Sequence, residues 1–410
     1  MDKNKRLTVW LPVIIAASIA LGIFIGNHYL SISQGKKRSY SSGNKINAIL
    51  DIIDEQYVDT VSMSKLVEST IPKIFSELDP HSVYIPAEDA SVVNEELEGS
   101  FSGIGVSFNM QTDTILVISV ISGGPAEKAG LLPFDRIISI NDSIFSGKKK
   151  NQGEIMKTLR GAKNSTVKLG VQRGNSPELL YFDVTRGDVP VNSVDVSYEA
   201  AKGIGYIKVS KFARNTYNEF ITAIAKLKQA GCTSFVIDLR GNTGGYMDAA
   251  INMINEFMPE GRLIVYTEGK SFPRSDVYAN GTGTCKDAPI VVLTDEISAS
   301  ASEIFSGAIQ DNDRGTIIGR RTYGKGLVQT QMSLSDGSEM RLTIARYYTP
   351  SGRCIQKKYE MGNTDAYDQD IYNRYMHGEF DSADSIKMDD SLKYQTVGGR
   401  TVYGGGGIMA

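Results

Sequence analysis

The stretch EISASASEIFSGAIQ, residues 296–310, sets Ser298, Ser300 and Ser302 at alternate positions directly before an apolar helical pattern. Ser300-x-x-Glu303 has the spacing of a capping box, in which a serine hydroxyl accepts the N–H of the third helical residue and the glutamate reaches back to the serine amide. That is the ordinary reading. The same place also suits a nucleophile, because a helix N-terminus at the carboxyl end of a buried strand offers unpaired N–H groups to a developing oxyanion. A serine nucleophile needs a base. The chain has three histidines, His28, His81 and His377. His81 belongs to a helical prelude and His377 to a polar tail, with no aspartate placed to orient either, which argues against a conventional triad. Lysine remains, and TYGKGLVQ sets Lys325 between two glycines after the next strand. A lysine base must fall from a reference pKa of about 10.4 by roughly three units, about 4 kcal/mol, and burial among apolar groups is the available means. A functional Lys325 is therefore expected to be desolvated and free of a paired carboxylate; the alternative is a solvated loop lysine.

Two glycine-rich turns add to this. DLRGNTGG, residues 238–245, joins a strand to a helix but lacks the spacings of nucleotide-binding loops. Its backbone N–H groups, turned outward, could form the second half of an oxyanion hole. In GSFSGIGVSF, the successive amides of Ile104, Gly105 and Val106 could hold the terminal carboxylate of a peptide that adds as an extra strand; a tight turn is the plain alternative.

The elements that must position these groups change character along the chain. Residues 45–78 carry apolar positions at helical spacing (Ile46, Ile49, Leu50, Ile53; then Leu66, Ile71, Ile74, Phe75), predicting two helices closed by LDPHSVYIP. From about residue 97 the period becomes two, with strands at ILVISVI, DRIISIN, TVKLGVQR and LLYFDVTR and a helix at NQGEIMKTLRG ended by Gly161: a compact β-rich module that exits at 187–190. Beyond it, GIGYIKVS, SFVIDLR and PIVVLTDE read as buried strands alternating with helices, and Thr216 with Glu219 predicts a capping box for the first helix. Alternation of this kind predicts an α/β core. TIIGR and EMRLTIARYYTPSG add strands, and residues 355–395 are polar and tyrosine-rich without a pattern that assigns them a role.

The 410 residues, 41% hydrophobic and 22% charged with formal net charge -3, suit a multi-domain globular protein and give no electrostatic reason to bind nucleic acid. Residues 7–26, LTVWLPVIIAASIALGIFIG, carry no charge and at about 1.5 Å per residue reach roughly 30 Å, the span of a hydrocarbon core. An uncleaved membrane anchor is expected rather than a signal peptide, since no A-x-A-like site follows. Lys3, Lys5 and Arg6 are matched by Lys36, Lys37 and Arg38, and the short N-terminal flank favours the body lying outside. Cys232, Cys285 and Cys354 lack metal-site spacing; Cys232 is expected to be buried, and a Cys285–Cys354 pair is open in an oxidising compartment.

Together these segments resemble the C-terminal processing peptidases, or tail-specific proteases, a family of Ser/Lys enzymes. GGPAEKAGLLPFDRIISIND resembles the core of a PDZ domain, DLRGNTGG the family's strand-turn motif, SASASEIFSGAIQDNDRGTIIGRRTYGKGLVQ its catalytic block, and LDPHSVYIP its entry to the PDZ region. The resemblance spans about residues 45–360. It implies Ser300 as nucleophile, Lys325 as general base, Gln329 as the residue positioning that base, and an oxyanion hole from the amides of Ala301 and Gly245, or Gly244. Ser298 and Ser302 match no catalytic position. Two departures stand out: Phe134 sits where the family's PDZ domains commonly have glycine, and the chain stops at GGGGIMA where members run on with Pro-Asp and more sequence, as after a truncation or frameshift.

The resulting expectation is an α/β (α+β) protein: a cytoplasmic flank (1–6), a transmembrane anchor (7–26), a linker (27–44), a helical N-terminal cap (45–96), an inserted PDZ domain (97–187), a Ser/Lys peptidase core (188–360) and a C-terminal segment (361–410). It would be a serine endopeptidase of the inner membrane facing the periplasm or another extracytoplasmic space, needing no metal or cofactor, acting on polypeptides with apolar C-termini, with a homo-oligomer also open. The competing readings are an inactive membrane-tethered PDZ peptide-binding protein and a Ser/Lys amidase or esterase acting on small molecules.

Overall fold

The computed structural model describes residues 16–23, 42–111, 114–146 and 152–410, in two units, 1–70 and 71–410. In the first, residues 16–23 form an exposed helical stretch. The rest of the expected anchor, and the linker up to residue 41, lie outside the described residues. Among the described residues no helix is long and apolar enough to cross a membrane. Helices α1 (Ser42–Gln56) and α2 (Met63–Ser76) answer to the two predicted from the apolar spacing. Ile46 and Ile49 of that stripe are nonetheless about half exposed.

After α2 the Asp79 carboxylate accepts the N–H groups of His81 and Ser82 (3.0 and 3.1 Å), a side-chain-closed turn into strand β1 (Val83–Ile85) and helix α3 (Ala87–Glu98). The β-rich module then runs β2 (Ser100–Gly103), β3 (Val106–Gln111), β4 (Thr114–Val120), α4 (Pro125–Ala129), β5 (Arg136–Ile140), β6 (Ser143–Ile144), α5 (Gln152–Leu159), β7 (Thr166–Gln172), β8 (Leu180–Thr185) and β9 (Gly187–Pro190). Alternation decides its core: Val167, Leu169 and Val171 of β7 all point inward and are fully buried against Ile137, Ile155 and Leu159. Strands β2 and β9 pair antiparallel, Ser100 opposite Pro190 and Gly103 opposite Gly187, so the entry and exit of the module lie side by side. This pairing is what allows a whole domain to be inserted in the chain. Phe134 adopts φ 69°, a left-handed conformation that costs a non-glycine residue about 1–2 kcal/mol, with its ring three-quarters exposed. The turn thus keeps a glycine-like backbone despite the substitution.

The core unit follows as β10 (Val194–Ala201), β11 (Ile204–Val209), α6 (Thr216–Gln229), β12 (Ser234–Asp238), α7 (Met247–Asn255), β13 (Leu263–Glu268), β14 (Ser275–Tyr278), β15 (Ile290–Thr294), α8 (Ala301–Asp311), β16 (Thr316–Gly319), β17 (Leu327–Ser333), β18 (Glu339–Tyr348), α9 (Thr364–Met376), β19 (Lys393–Gln395) and β20 (Thr401–Tyr403). Strands β11, β12, β15 and β16 are parallel neighbours, with β10 antiparallel at the edge. In this sheet one face of β12 and β15 is fully buried, with Phe235, Ile237, Ile290 and Val292 in the core beneath helices, while Val236, Val291 and Leu293 on the other face are half-buried, which accounts for apolar residues at successive positions. A second, antiparallel sheet is organised by β18, which pairs β1, β13 and β17. Phe257 meets the rings of Phe220, Phe235 and Phe305 edge-on at 6.2–6.5 Å, binding α6, β12 and α8 into one core.

One local expectation is corrected. Thr216 and Glu219 do not reciprocate: the Thr216 hydroxyl accepts the Ala213 N–H, while Glu219 accepts the N–H groups of Ser193 and Val194 ahead of β10. The carboxylate serves an edge strand that needed partners more than the helix did. Cys285 and Cys354 are free thiols, as is the buried Cys232.

Candidate active site

Ser300 ends the turn after β15 and opens α8, at the carboxyl end of the parallel sheet where the strand-turn motif after β12 also emerges. The neighbouring serines are consumed by the scaffold. Ser298 Oγ donates to the Leu239 carbonyl (2.8 Å) and Ser302 Oγ to the Asn242 carbonyl (2.9 Å), both fully buried, stitching the serine turn to the glycine turn. Ser300 is only half-buried and lines a cleft of about 830 Å³ shared with Gly244, Gly245, Lys325, Gln329 and Arg341. Its backbone is strained, at φ 55° and ψ -114°. Such a conformation in a non-glycine residue costs of order 1–3 kcal/mol and persists only where the surroundings over-determine it. Here they do: every residue of α8 is buried.

The glycine turn packs on the same point. A Cβ on Gly244 would stand 2.7 Å from Ser300 Cβ, and one on Gly245 2.1 Å from the Phe212 carbonyl oxygen. Gly244 donates its N–H to Asn242 Oδ1 (2.8 Å), and Phe212 and Tyr246 close the bridge on either side of Gly245. The N–H groups of Gly245 and Ala301 are thereby left without a protein acceptor among the described residues. Of the two glycines the sequence left open for an oxyanion hole, Gly245 is the one with an uncommitted donor.

Lys325 reaches the cleft from the loop after β16. Among the described residues its Nζ makes one polar contact, to Gln329 Oε1 at 3.1 Å; no carboxylate lies in ion-pair distance, and no hydrogen bond to Ser300 Oγ is formed. Burial holds its pKa below that of an ordinary lysine, with the Arg341 charge adding to the effect and the carboxylates of Asp79 and Glu303 opposing it. Gln329 is fixed in turn by donating Nε2 to the His81 carbonyl. His81, set aside in the sequence as part of a helical prelude, therefore does enter the site, though through its main chain. Its imidazole is pushed down to about 4 by burial and by the Lys325 charge.

Sequence reasoning missed the group that joins these parts. The buried Glu303 carboxylate accepts the N–H of Ser300 (2.8 Å), the Thr322 hydroxyl (2.5 Å), and the N–H groups of Gly324 and Lys325 (2.8 Å each). It was visible only as half of a capping box; what the spacing could not reveal is that the same carboxylate clamps the loop of the lysine. Burial raises it to about 7 against the opposing pull of its four donors. The buried Tyr347 hydroxyl makes a second bridge, lying against the carbonyls of Ser300 (3.1 Å) and Lys325.

In the β-rich module, Ile104 and Gly105 form the turn before β3, Gly105 at φ 78°, and among the described residues neither amide donates to a protein group. Val106 begins β3, which among the described residues pairs with β4 alone, so one edge of the strand is unpaired. The residues expected to hold a terminal carboxylate thus lie at an unpaired strand edge.

Residues 203–365 match Peptidase family S41 and residues 102–195 match the PDZ domain family. The carboxy-terminal processing protease CtpB of Bacillus subtilis strain 168 is 35% identical over 318 residues, 77% of this chain and 66% of that protein. A Staphylococcus aureus strain N315 protein named "Probable CtpA-like serine protease" is 33% identical over 365 residues, 87% of this chain and 72% of that one. The chain belongs to peptidase family S41. It is a serine peptidase of the carboxy-terminal processing type with a PDZ domain, as the motifs had implied. Among solved structures, the photosystem II D1 C-terminal processing protease is similar at 28% identity, covering 76% of this S41 peptidase and 90% of that chain with a TM-score of 0.42.

Proposed function

We propose that this S41 peptidase is a membrane-anchored endopeptidase whose PDZ domain receives the apolar C-terminal tail of a polypeptide and whose Ser300 and Lys325 cut it. Ser300 Oγ attacks the scissile carbonyl while neutral Lys325 takes the hydroxyl proton. The N–H groups of Gly245 and Ala301 receive the oxyanion, Lys325 returns the proton to the leaving amine as the C–N bond breaks, and water releases the acyl group from Ser300. The observation that carries this reading is the coincidence, in one cleft, of a strained half-buried serine, two uncommitted N–H groups beside it and a desolvated lysine without an anionic partner. The gap between Nζ and Oγ fits a substrate-free state, in which catalytic contacts are commonly loose. The body would stand on the extracytoplasmic side, held by residues 7–26.

The test is cleavage by the full chain, in detergent micelles, of a protein with an apolar C-terminal tail that is free or amidated. Turnover that vanishes in Ser300→Ala and in Lys325→Ala and weakens on amidation is the expected result. Tail binding without turnover would leave a tethered peptide-binding protein, and turnover indifferent to the tail would point to the small-molecule hydrolase.

A further inference from the structure

Helix α9 comes from the polar, tyrosine-rich segment to which the sequence pattern gave no role, and its one fully inward tyrosine, Tyr367, is 3% exposed. The Tyr367 hydroxyl lies 2.8 Å from His81 Nε2, and the two rings meet edge-on at 5.2 Å. His81 is the residue whose carbonyl holds Gln329, and Gln329 is the group that holds Lys325 Nζ. A second arm leaves the same hydroxyl: Gln356 Nε2 donates to it at 3.4 Å, and Gln356 Oε1 accepts the N–H of Gly326, the residue after Lys325, at 2.8 Å. The directions are mutually consistent, with the hydroxyl donating to a neutral imidazole on one side and accepting an amide on the other. Both ends of the lysine residue, its amine and its backbone, are thus referred to one buried oxygen.

Resting on the dyad reading above, we propose that Tyr367 is a positioning residue for the lysine base, and that α9 is part of the catalytic apparatus rather than a tail. Tyr367 touches no reacting atom and acts through His81, Gln329 and Gln356. Arg374, two turns along the same face of the helix, supports the arrangement by donating to the carbonyls of Arg321 and Thr322 at the root of the lysine loop. A chain of buried hydrogen bonds of this kind sets the aim of a side chain whose own four-carbon stem does not fix it.

The test uses Tyr367→Phe in the full chain, which removes the oxygen and keeps the ring. A fluorophosphonate probe reads the base without needing the PDZ domain: Ser300 Oγ bonds to phosphorus, the P–F bond breaks, fluoride leaves, and the hydroxyl proton passes to Lys325. The labelling rate should fall about 10-fold, as should kcat for a tailed protein, with KM unchanged. Tyr372→Phe, an exposed change on the same helix, should label at the wild-type rate. Should Tyr367→Phe lower the thermal midpoint, it is compared at low temperature with Val402→Ala, a buried change on strand β20, which pairs with β19. A rate loss confined to Tyr367→Phe supports the proposal, and equal losses overturn it. Wild-type labelling in Tyr367→Phe overturns the positioning role alone, whereas a wild-type chain not labelled at Ser300 overturns the dyad and this inference together.

Discussion

Replacing Glu303 by glutamine tests whether one carboxylate sets the relation of Ser300 to Lys325. The amide oxygen of the glutamine can keep the two N–H groups that Oε2 holds, those of Ser300 and Lys325. Its amino group then faces the Gly324 N–H and the Thr322 hydroxyl, both donors to Oε1 in the wild type. Stranding a buried donor costs about 1–3 kcal/mol, so with two donors disturbed the loss should be about 2–4 kcal/mol, a large part of a typical stability of about 5–15 kcal/mol. Glu303→Ala strands all four donors and should not fold stably. The sign of the electrostatic effect is opposite to that on stability. An anion near Lys325 favours the ammonium form, so removing it lowers the lysine pKa further and moves the acid limb of the kcat/KM profile to lower pH. Denaturant unfolding and pH-rate profiles of wild type and Glu303→Gln are the assays. The expected result is a weaker fold, a kcat reduced about 10- to 100-fold by misplacement of the pair, and an acid limb shifted down. Unchanged stability, or an acid limb moved up, would refute the clamp.

Three further outcomes follow. Lys325→Met should abolish cleavage yet raise the thermal midpoint at neutral pH: the folded chain binds this proton less readily than the unfolded one, so stability rises with pH until the unfolded lysine titrates near 10.4, and methionine removes that deficit. His81, at about 4 when folded against about 6.5 when unfolded, binds more protons in the unfolded chain; its stabilising share, up to about 3 kcal/mol, should be present above pH 6.5 and lost as pH falls through 4, in a urea series that His81→Asn flattens. Arg353→Ala leaves the fully buried Asp311 without its 2.7 Å partner and should destabilise by about 3–5 kcal/mol, whereas Phe134→Gly should stabilise by about 0.5–1 kcal/mol by relieving the left-handed backbone, both read by denaturant unfolding.

The parts of the site legible in the sequence are those tied to local spacing. Ser300 before an apolar helical pattern, Lys325 between glycines and the GNTGG turn each stand out in a few contiguous residues; spacing alone left a capping box and a solvated loop lysine as the plainer readings, and the resemblance to the tail-specific proteases singled them out. The buried strands β12 and β15 showed themselves as short apolar runs for the same reason. What stayed hidden depends on contacts made far along the chain. Glu303 at three residues from Ser300 reads as a cap, and only its burial against the 322–325 loop turns it into a clamp. His81 was judged by its imidazole, while its carbonyl does the holding. Strands β10, β13, β14 and β17 went unread: β10, β14 and β17 lie at sheet edges and are mostly exposed or half-buried without clear alternation, and β13, although buried at Ile264, Val265 and Tyr266, pairs with β18 some way along the chain. Helix α9 buries Tyr367 and Arg374 and exposes Tyr372 and Tyr375, a pattern that mixes residue types on both faces and gives no apolar stripe.

The central claim is that one lysine amine loses its charge beside the serine. Titration of the full chain carrying lysine labelled with nitrogen-15 at Nζ, with the Lys325 signal assigned by its loss in Lys325→Met, measures that most directly. A midpoint well below 10.4, coincident with the acid limb of cleavage, is the predicted result; an Nζ of Lys325 that titrates near 10.4 with the other lysines, while cleavage proceeds at neutral pH, would contradict the account.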